Sequence, residues 1–167
     1  MYLINMRQYL MLSIGIESRY MEELRYTHWN ALKRILRYVR GTMSLGLMYT
    51  RTNNYRLVGY SDNDWCGDVN GWKSTSGYVF FIGNTTFTWL SKKQHIVTLL
   101  TCKVEYVTTS LSVFHAVWLR NLPSKLKMKQ EKGTMIRVMK NKHIDVRFHF
   151  IWEPVKEGNV ELDHVGI

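Results

Sequence analysis

Two cysteines, Cys66 and Cys102, and two prolines are all that 167 residues contain. Without a close cysteine pair or an accompanying histidine spacing, neither a zinc site nor a disulfide framework organises the chain, and a reduced intracellular setting is the default. No apolar run is long enough for a membrane-spanning helix. The apolar start, Met1 to Ile16, is interrupted by Arg7 and lacks a clear small-residue cleavage site, so it is not read as a secretion signal. Internal repeats, low-complexity linkers, a phosphate-cradling glycine loop and a Ser-His-Asp order are also missing, and the six histidines have no metal-ligand spacing. Acid is scarce: 13 Asp and Glu face 23 Lys and Arg, a net charge of +10, and no aspartate precedes Asp62. A polyanion is the natural partner, although charge alone fits a membrane surface or an acidic protein equally well.

What is present describes a globular domain, with 46% apolar and 13% aromatic residues. Residues 1 to 24 suggest a helix. A second helix is expected from His28 to Arg40, capped by Thr27 and closed by Gly41. Its Trp29, Leu32, Leu36 and Val39 should face a core, leaving Lys33, Arg34, Arg37 and Arg40 as a basic outer face. That face reads either as a solvated surface or as a track for phosphates. Strands are expected over Leu45 to Thr50, Tyr55 to Ser61, Ser76 to Ile82 and Thr86 to Leu90, with Gly83-Asn84 as a tight turn. Ser91 to His95 reads as a polar connection to a helix over Thr101 to Leu122 that Pro123 ends. Its Val104, Val107, Leu111, Phe114 and Trp118 form the sheet-facing stripe, with Glu105 at the margin. Met135 to Met139 suggests a weak strand, Asp145 to Val155 a helix disturbed by Pro154, and Asn159 to Val165 a last strand.

The most informative stretch runs from Gly59 to Gly83, GYSDNDWCGDVNGWKSTSGYVFFIG. A strand-like run meets Asp62, Asp64 and Asp68, after which the chain turns apolar again. Carboxylates on a rigid sheet can hold Mg²⁺, but aspartates at strand ends more often bond nearby amides in a solvated loop. Residue types and spacing leave both readings open.

This stretch resembles the opening of the ribonuclease H domain of copia-type LTR retrotransposon Pol polyproteins, approximately GYSDADWAGD…RKSTSGYVFF. The likeness continues through Thr88 to Gln94, Val104-Glu105-Tyr106, Trp118-Leu119-Arg120 and Lys142 to Phe150. Upstream, Ser18 to Met21 and His28 to Thr42 resemble the segment that links reverse transcriptase to that domain. The resemblance implies an α/β fold with a mixed sheet, ribonuclease H-like but incomplete, behind an N-terminal helical segment. Residues 1–44 would be that segment. Residues 45–167 would be the ribonuclease H-like domain, lacking a central strand-helix unit and the C-terminal helix.

The family, as the resemblance implies, holds two Mg²⁺ (or Mn²⁺) with four carboxylates and cleaves the RNA strand of an RNA-DNA hybrid. Here Asp62 and Glu105 match two of the four. No aspartate lies between Asp68 and Asp145, and Asp145 belongs to a block that precedes the last strand. Two dications held by two carboxylates leave a large uncompensated charge, which implies weak or absent metal binding and little hydrolysis. Asp64 and Asp68 would be structural. Binding of the hybrid can outlast cleavage: Lys73, Ser74, Thr75, Ser76, Lys92, Lys93, Arg34 and Arg37 are the candidate contacts to phosphates and 2′-hydroxyls. Neither a membrane nor a small-molecule substrate is implied. The alternatives are a non-catalytic basic nucleic-acid binder and, from Arg34-Ile35-Leu36-Arg37, a secreted effector bearing an Arg-x-Leu-Arg motif.

Overall fold

The computed structural model describes residues 5, 7–50, 56–68, 71–98, 100–125, 132–140 and 149–166. Helix α1 (Gln8–Glu17) runs into a 3₁₀ turn, Ser18–Tyr20, and α2 (Tyr26–Gly41) follows. Strands β1 (Leu57–Asp64), β2 (Thr75–Ile82) and β3 (Thr85–Lys93) come next, then α3 (Thr101–Lys125), β4 (Thr134–Lys140), α4 (His149–Lys156) and β5 (Val160–Gly166). The strands form one mixed sheet in the order β3-β2-β1-β4-β5.

The first three strands make an antiparallel meander, closed between β2 and β3 by Gly83 and Asn84. Gly83 has φ 60°, a backbone state a two-residue hairpin requires and glycine adopts without penalty. β4 runs parallel to both β1 and β5. Parallel pairing needs a crossover, and α3 and α4 supply the two. β4 bonds to both β1 and β5, which makes the five-stranded sheet continuous.

The core lies between the sheet and α3. Leu57, Phe80, Ile136, Val138 and Val160 from the strands meet Val113, Ala116 and Leu119 of α3 and Ile151 of α4. Gly59 pairs with Phe80, and a β-carbon at Gly59 would lie 2.5 Å from the Phe80 ring. The ring occupies the space that a side chain on β1 would have taken.

The apolar stripe expected on α3 is turned relative to its packing. Val104 is buried, but Leu111, Phe114 and Trp118 are exposed, and Thr108, Thr109, Ser112, Val113, Ala116 and Leu119 face inward with it. Phe80 and Tyr78 already fill the sheet side, so the helix approaches with small residues; Ser76 and Thr108 hydroxyls bond across the seam at 2.7 Å. Pro123 falls in the last turn of α3 and does not end it, since there a proline removes only one terminal backbone bond.

Three further expectations are corrected. Leu45 to Thr50 is not a strand: it stays exposed and is tied to β3 by side chains, the Tyr49 hydroxyl donating to the Thr86 carbonyl and the Thr85 hydroxyl to the Met48 carbonyl. Helix α2 starts at Tyr26, where the Arg25 N–H donates to His28 Nδ1 at 3.3 Å, so Thr27 is inside the first turn and Gly41 inside the last. Lys92 and Lys93 belong to β3 and not to a loop. The expected start of β1 at Tyr55 and the block around Asp145 lie outside the described residues.

Helix α1 lies against β3 and α2. Its Leu10 is buried, and the Arg7 guanidinium at its start donates to the hydroxyl and carbonyl of Thr42 beyond the end of α2. No residue of α2 is buried.

Candidate nucleic-acid interface and carboxylate site

Side chains alternate along a strand, so β1 sorts its residues onto two faces. Leu57, Gly59 and Ser61 are buried on the inner face, in register with Ile82, Phe80 and Tyr78 of β2. That face meets α3, through Ser76 to Thr108 and through the His115 ring against Tyr78 and Phe80. Asp62, one residue past Ser61 and paired with Gly77, points to the outer face; it is exposed, and its Oδ1 accepts the Asn63 N–H at 2.8 Å. Glu105 sits on the buried side of α3, 5% exposed.

Beneath the first half of α3 lies a polar layer. Gln94 donates from Nε2 to the Ser76 Oγ at 2.9 Å and to the Val104 carbonyl, and its own N–H donates to the Ser74 carbonyl. Ser74 accepts the Cys66 N–H, which holds the β1–β2 connection where Cys66 takes φ 53°. Ser74 and Ser76 are both buried, so these two expected contacts to nucleic acid are committed inside the fold. A turn rich in serine and lysine reads as an accessible surface, but here the inward register of β2 consumes the hydroxyls.

The other aspartates have structural positions. A β-carbon at Gly67 would fall 1.7 Å from the Asp64 carboxylate, which therefore lies directly on that backbone. Asp68 bonds Lys93 and pairs with Arg19 at 3.5 Å. The Lys93 hydrogen bond, with the charges of Lys93 and Arg19 and the Gly71 N–H, holds the Asp68 carboxyl below its ordinary range against the opposing effect of burial. This clasp joins the 3₁₀ turn after α1, the β1–β2 connection and the end of β3, and it occupies Lys93. Lys73 and Thr75 are half-buried, whereas Lys92, Arg34 and Arg37 are exposed.

Ribonuclease H-like folds generally use divalent metal ions. Among the described residues no three His, Cys, Asp or Glu side chains come together as a metal group. Asp62 is exposed near the end of β1 and Glu105 is buried in the first turns of α3, and two carboxylates supply fewer donors than such an ion requires, several oxygens converging at about 2.1 Å. Among the described residues, no helix is long and apolar enough to cross a membrane.

Sequence reasoning missed Trp29 as a surface residue, placing it in a core. It is 53% exposed, and the Lys33 ammonium lies over its ring, 5.3 Å from the centroid. The interleaving of Trp29 with the four cations of α2 was the available signal.

By its strand order, its parallel β1-β4-β5 half and the helix over β1, the protein has a ribonuclease H-like mixed sheet. No protein-family model matches the chain. It is 45% identical over 107 residues to Secreted RxLR effector protein 161 of Plasmopara viticola, a match covering 64% of this chain and 75% of that protein. It is also 31% identical over 180 residues to the retrovirus-related Pol polyprotein from transposon RE2 of Arabidopsis thaliana, covering 99% of this chain and 12% of the polyprotein. A solved structure, ribonuclease H1 from the archaeon Halobacterium salinarum NRC-1, aligns with a TM-score of 0.39 and 12% identity over 66% of this chain and 86% of that one. By the first of these matches the chain belongs to the same family as that protein, and it is distantly related to copia-type retrotransposon Pol polyproteins, of which it spans about an eighth. The Pol match reaches nearly the whole chain, so it overlaps the effector match.

Proposed function

We propose that this chain is a ribonuclease H-like piece of a copia-type Pol protein that binds nucleic acid inside the cell without cleaving it. In this reading residues 1–44 form a cationic connecting segment and 45–167 the ribonuclease H-like domain. The observation that supports it is the set of cations that stay exposed on α2 and at Lys92, beside a site that keeps only Asp62 and Glu105 of the four carboxylates the resemblance implies. Phosphodiester hydrolysis by this fold needs carboxylates converging on one point, whereas phosphate binding needs only accessible positive charge. Lys92, Lys73 and Thr75 at the β2–β3 end, with Arg34 and Arg37 on α2, are the contacts to an RNA-DNA hybrid.

A labelled RNA-DNA hybrid incubated with the chain and Mg²⁺ or Mn²⁺ tests this. Salt-dependent binding with an intact RNA strand is expected. Cleavage that Asp62→Asn abolishes would overturn the reading.

A second reading takes its support from the relative named as a secreted RxLR effector and from the quartet Arg34-Ile35-Leu36-Arg37. In the structure the quartet lies within the regular turns of α2. Recovery of the native chain from the extracellular fraction of its source, and not from cells, would favour this reading over the intracellular one.

A further inference from the structure

We propose that the outward face of α2 is a platform for single-stranded nucleic acid, with Trp29 and Tyr26 stacking on unpaired bases while Lys33, Arg34, Arg37 and Arg40 hold the phosphates. The proposal rests on the nucleic-acid reading above and deepens it by naming the strand type.

At about 100° per residue, Tyr26, Trp29, Lys33, Leu36, Arg37 and Arg40 share one arc of α2, with Arg34 at its border. Tyr26, Trp29 and Leu36 are exposed, and Tyr26 and Leu36 stand among the most exposed large apolar side chains of the described residues. The opposite arc, His28, Leu32, Ile35 and Val39, is half-buried, and α1 is the neighbour on α2. Aromatic rings and cations are therefore interleaved on the free side. No acid occurs anywhere in α2.

Charge and geometry together select the occupant. A second copy would bring a further row of cations against this one, which repel. A membrane-surface helix inserts an apolar arc and keeps its cations opposite, but here the aliphatic arc is the half-buried one and the cations flank the exposed tryptophan. A duplex offers phosphates, yet its base faces are hidden in the stack and leave Tyr26 and Trp29 without partners. A single strand offers phosphates and open base faces together, and aromatic stacking is the usual way such strands are held without regard to sequence. The Lys33 ammonium lies over one side of the Trp29 ring, so a cation and an aromatic face already stand together on this arc.

The test measures anisotropy of labelled oligothymidylate, oligouridylate and an RNA-DNA hybrid with the full chain at matched salt, and binding to phosphatidylserine vesicles. Single strands are expected to bind more tightly than the hybrid, with a log-log salt slope of about −3 for four phosphates. Trp29→Ala should weaken single-strand binding about tenfold and leave hybrid binding unchanged, with Trp29→Phe restoring most of it. Lys33→Ala with Arg37→Ala should weaken both ligands and flatten the salt dependence. Circular dichroism checks that each variant keeps its helix content. Equal binding of the two strand types, or an indifferent Trp29→Ala alongside a damaging Lys33→Ala/Arg37→Ala, overturns the platform while leaving nucleic-acid binding in place. Tighter binding to the vesicles overturns it as well. Absence of salt-dependent binding to either nucleic acid removes both readings.

Discussion

The seam between α3 and the sheet and the outward side of α2 contain similar residue types put to opposite use. At the seam, serines, threonines and a glutamate are buried, with Ser76 bonded to Thr108 and Gln94 across elements, while the bulky Leu111, Phe114 and Trp118 of the same helix face solvent. On α2, Trp29 and Leu36 face solvent among cations, and no side chain of the helix is buried. Burial follows from what lies opposite, since a helix face is covered only where another element approaches closely enough. The seam specifies the fold. The α2 face has charge and aromatic area free for a partner.

The sharpest way to break this contrast is to remove its central ring. Phe80→Ala leaves a cavity over Gly59 and is expected to cost about 3–5 kcal/mol, read as a fall in the urea midpoint. An unchanged midpoint would mean that the seam is not the core. Next in size is Thr108→Val, which strips the Ser76 hydroxyl of its partner across the seam and is expected to cost about 1–3 kcal/mol by the same measurement.

Acid should act at the seam as well. His115 is packed among Tyr78, Phe80 and Trp118, and burial pushes its pKa below the ordinary 6.5. Between the folded and unfolded pKa values the unfolded chain binds the extra proton, so stability rises with pH across that window. The full contribution is present above pH 6.5 and is lost as pH falls towards the folded pKa. Denaturation midpoints of His115→Phe should lose this part of the acid sensitivity; an unaltered pH profile would place the effect elsewhere. Smallest of all, Trp29→Ala on α2 should shift stability by no more than about 0.5 kcal/mol, because it leaves no cavity. A loss comparable to that of Phe80→Ala would show α2 to be core after all.

Strands β1 to β3 and the Gly83-Asn84 turn were readable because their apolar runs and turn residues are local signals. The Leu45 to Thr50 run carried the same kind of signal and gave no strand: it is held to β3 through the Tyr49 and Thr85 side chains and not through a backbone ladder. The stripe on α3 was misplaced for a related reason: helical periodicity identifies a hydrophobic face but not the orientation that the partner surface accepts. For the site, sequence likeness picked out Asp62 and Glu105, whereas the exposure of the first and the burial of the second follow from the β1 register and from how α3 packs on the sheet.

The sequence by itself determined that this is a basic α/β protein related to copia-type Pol polyproteins, because composition, turn chemistry and a long run of matching residues are written along the chain. Only the tertiary structure decided that Glu105 is buried while Asp62 is exposed, which serines are consumed inside, and that Trp29 stands among cations in solvent. Those outcomes depend on contacts between elements distant in sequence, where packing and strand register override the preference of any single residue.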